Sequence, residues 1–309
     1  MLIACTLLLC NFAKCRFGEP IFFEGEYKQD KIYDLYIQMI TCTFKLKKNK
    51  IPTIQIKNDW RYLGNEYLET SESVDGDSPI CLILTNIDLK LFLEQYEVFD
   101  LKYECGWKFR SKEGLFTEYI DKWIARKNEA TITGNKGIRA MSKMMLNSLY
   151  GKFATSLEVQ SKIPYLGEDE IIHYTLSEKE EKEGIYIPVG CFITAYAREK
   201  TIRTSQAIKT YSIEKYGIDK YIYSDTDSIH TTLSIEELKE FCNIDDVKLG
   251  AWKNEGFATK GKFVRQKCYL EEIEGKIKIT CAGMPKTCYD SVNFENFKTG
   301  FTTRWKINI

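Results

Sequence analysis

The sequence predicts an α+β fold: an antiparallel sheet with helices, a pair of antiparallel helices, and strand-rich insertions. Three stretches carry this prediction. An apolar and aromatic run from Tyr221 enters Asp225-Thr-Asp227 and continues into residues 228–232, a pattern typical of strand, tight turn and strand. Residues 116–151 contain two amphipathic helical segments. Residues 152–190 combine prolines, glycines and acidic residues with few helix signals, which indicates a small strand-rich region.

Length and composition are those of an ordinary globular protein of about two domains, with 309 residues, 44% hydrophobic and 28% charged. The 44 basic and 44 acidic residues cancel, so total charge does not favour a nucleic-acid partner, although basic stretches at 45–50 and 260–267 form local patches. Eleven cysteines without a Cys-x-x-Cys pair and only two histidines disfavour a zinc site and a disulfide framework, and indicate a reducing cytoplasm.

Residues 18–118 alternate short apolar runs with turns. Periodicity and capping predict strands over 20–24, 51–57 and 81–85, the last of them buried, and a helix to Tyr96 capped by Asn86 or Asp88.

The two helices of residues 116–151 are predicted at Phe116–Arg126 and Gly137–Tyr150, joined by a turn over 128–135. Gly151 is the predicted C-cap of the second helix.

The rest of the chain is predicted to form one long helix, a capped short helix and further strands. The helix runs from Phe192 and ends at Tyr216-Gly217, a capping box begins at Ser234, and strands cover 248–252 and 262–271.

Asp225 and Asp227 are the first candidates for chemistry. Two carboxylates at i and i+2 can lie on one face of a strand end, where a divalent cation relieves their repulsion. A surface hairpin with an acidic tip explains the same pattern, so the spacing alone leaves both interpretations open.

The segment from Ser142 to Phe153 is the second candidate. Lys143 and Asn147 are i and i+4 and therefore share a helical face, with Tyr150 close by. A cation, an amide and an aromatic ring on one face suit a nucleotide, because the charge meets phosphate and the ring lies against sugar or base. An amphipathic helix with an apolar core stripe is the alternative.

Together the two segments resemble motifs of family B DNA polymerases. Lys143-x-x-x-Asn147-Ser148-x-Tyr150-Gly151 is similar to the fingers motif of that family, and Tyr223-Ser-Asp225-Thr-Asp227-Ser228 to its palm metal motif. From residue 18 to about residue 301 the chain resembles the protein-primed subgroup of small tailed phages nearly throughout. The resemblance implies a polymerase palm, two-helix fingers and strand-rich insertions.

The resemblance also implies transfer of nucleotides from dNTPs to a primer hydroxyl, directed by a DNA template and assisted by two Mg²⁺ or Mn²⁺ ions. Asp227 is the expected principal metal ligand, and Asp225 the second ligand or a supporting carboxylate. The implied partners are template and primer DNA, dNTPs and a terminal protein that primes replication. The implied setting is the cytoplasm of a bacterial host of a phage or prophage, without membrane attachment.

Other site residues follow position by position from the resemblance. The residues expected to bind the nucleotide are Lys127, Arg139, Lys143, Asn147 and Tyr150. Arg139 stands where close relatives often have lysine. Lys267-Cys-Tyr269 is similar to the Lys-x-Tyr primer-terminus motif of the family, and its two outer residues are expected to share a strand face. The residues expected to bind DNA or primer are Ser148, Gly151, Thr194, Arg198, Lys267 and Tyr269.

The implied organisation has six parts. They are 1–17, an out-of-frame leader; 18–118, palm with a terminal-protein-contacting insertion; 119–151, fingers; 152–190, an insertion for strand displacement and processivity; 191–275, palm with the Asp-Thr-Asp hairpin; and 276–309, a truncated thumb.

Three departures from the family lower the expected activity. The first palm motif, Asp-x-x-Ser-Leu-Tyr-Pro-Ser, is absent, as are the proofreading exonuclease and a full thumb. The apolar residues 1 to about 16 are compatible with that motif translated one base out of frame, a hypothesis that the nucleotide sequence decides. We therefore expect this chain alone to be a weak or inactive polymerase. A non-catalytic prophage remnant, or a module that binds DNA or a terminal protein, is the alternative.

A third interpretation is a protein attached to a membrane through residues 1–17. That segment is apolar, but it is shorter than the ~20 residues that span a bilayer and lacks the charged start of a signal peptide.

Overall fold

The computed structural model describes residues 2–5, 15–28, 30–56, 66–181, 186–245, 248 and 250–302. They fall into two compact units. The hairpin unit comprises Met1–Leu7, Leu46–Thr53 and Ala197–Ile309, and the two-helix unit comprises Leu8–Lys45 and Ile54–Tyr196.

The secondary structure mixes strands and helices, as predicted for an α+β chain. The strands are β1 (Leu2–Cys5), β2 (Cys15–Glu24), β3 (Leu35–Leu46), β4 (Ile80–Thr85), β5 (Tyr96–Lys112), β6 (Glu158–Val159), β7 (Lys162–Leu166), β8 (Ile172–Leu176), β9 (Glu180–Glu181), β10 (Tyr221–Asp225), β11 (Ser228–Thr231), β12 (Trp252–Gly256), β13 (Lys260–Arg265), β14 (Cys268–Ile273) and β15 (Lys276–Cys281). The helices are α1 (Glu72–Asp75), α2 (Asn86–Gln95), α3 (Thr117–Ile132), α4 (Lys136–Phe153), α5 (Ile187–Tyr216), α6 (Ile235–Lys239) and a 3-10 helix at Lys286–Ser291.

A four-stranded sheet of order β2-β5-β3-β4 organises the two-helix unit, and β2 and β4 run antiparallel to their neighbours. Buried aromatic rings pack beside it, with Phe44 at 5.3 Å from Phe92 and at 5.0 Å from Tyr96 between ring centroids. Thr85 caps the start of α2, and its hydroxyl accepts a hydrogen bond from the Asp88 amide at 3.1 Å. The expected cap at Asn86 or Asp88 is therefore wrong by one to three positions, because the threonine hydroxyl is the acceptor nearest to the exposed amide.

Two strand predictions in this region need correction. Residues 51–56 form no strand, and Lys57 lies outside the described residues. In this segment the Ile54 carbonyl accepts a hydrogen bond from Leu68 and its amide bonds to Tyr96, so the backbone is satisfied without a sheet partner. The predicted strand at 81–85 exists as β4, but it is buried on one face only, since Ile83 is 68% exposed.

The predicted pair of helices is present, with a shorter turn. Residues 128–132, expected in the turn, continue α3 because Ala130 is buried on its inner face. Helix α4 starts at Asn135, whose side chain accepts a hydrogen bond from the Ile138 amide at 3.0 Å. Gly151 is not the C-cap, because the helix continues to Phe153, whose ring packs 5.4 Å from that of Phe116.

The strand-rich region predicted over 152–190 consists of two small antiparallel pairs, β6 with β9 and β7 with β8. The β7–β8 hairpin is exposed along its length, including its apolar side chains. The hairpin therefore has little buried surface of its own.

The hairpin unit is built from one antiparallel sheet of order β10-β11-β1-β12, a three-stranded antiparallel sheet β13-β14-β15, and the second part of α5. A core of Ile208, Ile229, Leu238 and Trp252 joins α5 and α6 to the first sheet. The predicted capping box is present at Ser234 and Glu237, and α5 ends as predicted before Gly217, whose φ is 71°.

Residues 2–5 form β1, whose backbone pairs antiparallel with both β11 and β12. No pattern in the sequence predicted this strand, and its presence does not test the reading-frame hypothesis, which concerns the DNA.

The other strand predictions in the hairpin unit are partly wrong. The strand expected over 248–252 is β12, which begins only at Trp252. The single strand expected over 262–271 is a hairpin of β13 and β14, broken at Lys267, which has a φ of 55°. Within the described ranges, no helix combines the length and the hydrophobicity needed to cross a bilayer.

Candidate functional site

The Asp225-Thr-Asp227 segment forms a tight turn between β10 and β11, in which Asp225 pairs with Ser228. Thr226 has a φ of 52°, a conformation that a β-branched residue adopts only when its surroundings impose it. Its carbonyl accepts a hydrogen bond from the Thr201 hydroxyl at 2.8 Å, and its own hydroxyl donates to Asp225 Oδ1 at 3.0 Å. The turn that carries both candidate carboxylates is therefore held from α5.

A second hairpin contacts the first through Lys267. The Lys267 Nζ donates to both carboxylate oxygens of Asp225, at 2.8 and 2.9 Å, and its backbone amide donates to the Tyr223 hydroxyl at 2.8 Å. The Asp225 side chain is 24% exposed and that of Lys267 58% exposed, so this ion pair borders solvent. Two residues predicted separately as metal ligand and primer contact therefore bind each other directly.

Burial raises the pKa of Tyr223 to about 12, and the negative charge of Asp225 acts in the same direction, while the hydrogen bond from the Lys267 amide opposes it. The Tyr223 hydroxyl is therefore protonated at neutral pH. It accepts from Lys267 and retains its own proton for donation.

An aromatic cluster packs where the two hairpins meet. The rings of Phe263 and Tyr269 stack at 5.2 Å, and Tyr223 lies 5.6 Å from Tyr269. The expectation that Lys267 and Tyr269 share one strand face is wrong, because Lys267 occupies the turn and only Tyr269 lies in β14. The left-handed turn directs Lys267 toward Asp225.

Two residues at this junction were missed by the sequence analysis. His230 Nδ1 and Glu271 Oε1 lie 2.9 Å apart, and their side chains are only 2% and 4% exposed. The available signal was a polar residue directly after an apolar one, in Ile229-His230 and Leu270-Glu271, within segments that both form strands. Their pairing spans 41 positions, which no local pattern reveals.

The donor set of the acidic turn suits a hard divalent cation. Asp225 and Asp227 supply the carboxylate oxygens that Mg²⁺ prefers, and Mg²⁺ completes its shell with water and substrate phosphates. In the part of the chain that the structure describes, no group of three His, Cys, Asp or Glu side chains is arranged to hold a metal. Asp225 and Asp227 therefore match Mg²⁺ by ligand type, and both oxygens of Asp225 accept hydrogen bonds from Lys267 in this structure.

In the two-helix unit, α4 presents a polar face. Arg139, Lys143 and Asn147 are exposed at successive i, i+4 positions, while Ser142 and Leu146 are buried on the adjacent side of the helix. Among the described residues, the side chains of Arg139 and Lys143 form no hydrogen bond or ion pair. The predicted face thus exists, and its two cations project into solvent.

The other predicted site residues are distributed along three helices. Lys127 in α3 and Tyr150 in α4 are both half-buried. Ser148 turns its hydroxyl onto the Met145 carbonyl at 3.2 Å. Gly151 is half-buried near the end of α4.

Two more predicted primer contacts lie on α5. Thr194 and Arg198 are one turn apart, and both are half-buried. The Thr194 hydroxyl donates within the helix, to the carbonyls of Gly190 and Cys191, each at 2.9 Å. In this state the hydroxyl is satisfied by its own helix.

The chain is similar in sequence to known DNA polymerases. A sequence profile described as DNA polymerase type B, organellar and viral, matches residues 12–243. The chain is similar to the DNA polymerase of Bacillus phage phi29, with 41% identity over 310 residues that cover 94% of this chain and 51% of the relative. It is also similar to the DNA polymerase of Streptococcus phage Cp-1, with 34% identity over 299 residues covering 94% and 49%.

A solved structure shows the same relationship. The phi29 DNA polymerase complexed with primer-template DNA and incoming nucleotide substrates superposes with a TM-score of 0.84 at 40% identity, covering 99% of this chain and 54% of that one. The chain spans about half the length of the curated relatives it matches.

Proposed function

The chain belongs to the organellar and viral type B family of DNA polymerases, and we propose that it transfers nucleotides from dNTPs to a primer hydroxyl under the direction of a DNA template. The observation that carries the proposal is the direct bonding of the Asp225-Thr-Asp227 turn to the hairpin of Lys267 and Tyr269. This junction joins acidic groups suited to a metal with a cation and a ring suited to a sugar-phosphate.

In the hairpin unit, Asp227 is the proposed principal ligand of Mg²⁺ or Mn²⁺, and Asp225 the second. When bound, the divalent ions stabilise negative charge on the transferring phosphoryl group and favour ionisation of the primer hydroxyl. Lys267 orients Asp225 and, with Tyr269, holds the primer terminus. Arg198 adds a cation for the primer strand.

In the two-helix unit, the exposed cations of α4 are proposed to bind the triphosphate. Arg139 and Lys143 lie one turn apart and neutralise neighbouring phosphate groups, with Lys127 of α3 as the third cation. Asn147 and Tyr150 shape the nucleotide pocket. Ser148, Gly151 and Thr194 are proposed to contact DNA.

The insertions have proposed roles of their own. The β7–β8 hairpin exposes Ile163, Tyr165, Leu166, Ile172, Tyr174 and Leu176, each at least 49% exposed. Such a surface suits contact with DNA or a partner and supports a role in strand displacement and processivity for residues 152–190. Contact with a terminal protein is proposed for the insertion in residues 18–118.

Primer extension tests the proposal. Purified protein, a labelled primer on a longer template, dNTPs and Mg²⁺ are expected to yield at most weak extension, which Asp227→Ala abolishes. Glu255→Ala is the matched control, because Glu255 is an exposed carboxylate in β12 of the same sheet. Extension that survives Asp227→Ala would refute the proposed role of Asp227. The rate of extension by the wild-type chain measures how far its activity is impaired, as expected from the sequence.

One observation favours a second candidate, a module that binds DNA without catalysis. The Lys267 ammonium already occupies both oxygens of Asp225, as a cation in the position of a metal. Tight binding of primer–template with no extension at any Mg²⁺ or Mn²⁺ concentration would support this candidate over the polymerase.

A further inference from the structure

The contact between His230 and Glu271 is the most deeply buried polar link in the junction of the two hairpins. Their side chains approach at 2.9 Å and are 2% and 4% exposed. Burying a carboxylate and an imidazole costs free energy that an apolar pair avoids, so the contact is poorly explained by stability alone. A directional polar contact does specify one relative placement of the strands that carry it.

The pair is enclosed by rings that already belong to the site. The His230 ring lies 5.0 Å from both Phe263 and Tyr269 and 5.7 Å from Tyr223. Among the described residues, His230 Nε2 and Glu271 Oε2 have no hydrogen-bonding partner. The contact between His230 Nδ1 and Glu271 Oε1 is therefore the one side-chain hydrogen bond that either residue forms among the described residues.

The pair also connects two separate sheets. His230 lies in β11, directly after the acidic turn, and Glu271 lies in β14, two residues after Tyr269. The surface contacts of Lys267 with Asp225 and Tyr223 join the same two hairpins at the solvent edge. The two hairpins are thus joined by a buried contact, His230 to Glu271, and by a solvent-exposed contact, Lys267 to Asp225.

We propose that His230 and Glu271 are positioning residues that hold the Lys267–Tyr269 hairpin in register with the Asp225-Thr-Asp227 turn, so that the primer terminus is presented to the metal-binding carboxylates. The inference rests on the proposed function and deepens it. Neither residue touches the substrate; they act through Tyr223, Phe263 and Tyr269.

Primer–template binding, measured by fluorescence anisotropy with the full chain, tests the inference without requiring catalysis. Glu271→Leu removes the acceptor and leaves a buried imidazole unpaired, and is expected to raise the Kd for primer–template about tenfold. Glu271→Gln retains an oxygen acceptor and is expected to restore most of the affinity. In extension assays the KM for dNTP is expected to stay unchanged, since the affected hairpin contacts the primer.

A matched control and a double variant separate positioning from folding. Thr231→Val removes a buried hydroxyl from the neighbouring residue of β11, which bonds to the Lys220 carbonyl at 2.8 Å, and is expected to lower Tm without raising the Kd. His230→Phe combined with Glu271→Leu replaces both partners with apolar groups and is expected to fold but to bind primer–template weakly.

Two results would overturn the inference: a folded double variant that binds primer–template as tightly as the wild type, or a Glu271→Gln variant as weak as Glu271→Leu. A wild-type chain that binds primer–template but does not extend it would refute the proposed function instead, and the binding comparison would still decide the positioning role.

Discussion

The two sets of charges proposed to handle substrate differ in how they are satisfied. In the hairpin unit, Asp225 and Lys267 neutralise each other at 2.8 Å, and Tyr223 is bonded to the same turn. In the two-helix unit, Arg139 and Lys143 project into solvent from a regular helix. The difference teaches that the charges of the hairpin unit are paired without a ligand, whereas the exposed cations of α4 are left for the triphosphate that they are proposed to bind.

The largest effect is expected at the organised site. Lys267→Met removes the ammonium that bonds to Asp225 and is proposed to hold the primer terminus, and it is expected to slow primer extension about a hundredfold, because small displacements of reacting groups are costly. The loss of thermal stability should be minor, since a solvent-bordering ion pair contributes little. Steady-state extension and thermal denaturation measure the two effects.

Arg265→Ala is the control for that variant, because Arg265 is an exposed cation two residues before Lys267, at the end of β13. Equal losses in both variants would show that general positive charge, and not the contact with Asp225, is responsible.

A smaller and different effect is expected on α4. Lys143→Ala should raise the KM for dNTP about tenfold with little change in primer–template affinity, because one charge-assisted contact to phosphate is lost. Lys152→Ala serves as the control, since nine residues at ~100° per residue place it on the opposite side of the helix. If both variants behave alike, α4 does not bind the triphosphate through this face.

The comparison extends to buried hydroxyl groups. Ser142 in α4 is fully buried and its Oγ has no partner among the described residues. Ser142→Ala is therefore expected to increase the free energy of unfolding by about 1 kcal/mol, as measured by urea denaturation.

Ser212 provides the contrast in the hairpin unit. It is equally buried, but its hydroxyl donates to the Lys209 carbonyl and accepts from the Lys220 amide, each at 3.0 Å. Ser212→Ala should lower the free energy of unfolding by about 1 kcal/mol. A destabilised Ser142→Ala variant would mean that the Ser142 hydroxyl is satisfied after all.

The smallest expected effect depends on pH. Hydrogen bonds from the Tyr216 hydroxyl and the Ser234 amide hold the pKa of Glu237 at about 2, below its ordinary value of 4.5. A lowered carboxyl pKa stabilises the folded state above the ordinary pKa, and this contribution is lost as the pH falls toward the folded pKa.

Glu237→Gln should accordingly lower Tm by about 2 °C at pH 7, and the difference from the wild type should shrink between pH 5 and pH 2. Glu236→Gln, on the exposed side of the same helical turn, is expected to show no such dependence. A Tm difference that is constant with pH would indicate lost packing, not lost charge.

Local patterns predicted much of the fold. The strand–turn–strand at Asp225, the capping box at Ser234 and the end of α5 at Gly217 were predicted correctly, because short-range geometry and capping determine them. Errors arose where distant residues override a local signal. Gly151 was expected to end α4, but the packing of Phe153 on Phe116 extends the helix past it.

The candidate site divides in the same way. The motifs around Lys143 and Asp225 were enough to recognise the family of the chain and the residue types that its candidate site contains. The contacts between these residues could not be predicted from the sequence. Lys267 reaches Asp225 across 42 positions because its left-handed backbone turns it out of the predicted strand.

The amino-acid sequence by itself therefore determined the polymerase family, the acidic turn and the polar face of α4, since each is encoded within a few neighbouring residues. Only the tertiary structure decided that Lys267 neutralises Asp225 and that His230 meets Glu271 between the two sheets. The physical reason is that both contacts join two hairpins that are distant in the sequence and meet at the rings of Tyr223, Phe263 and Tyr269.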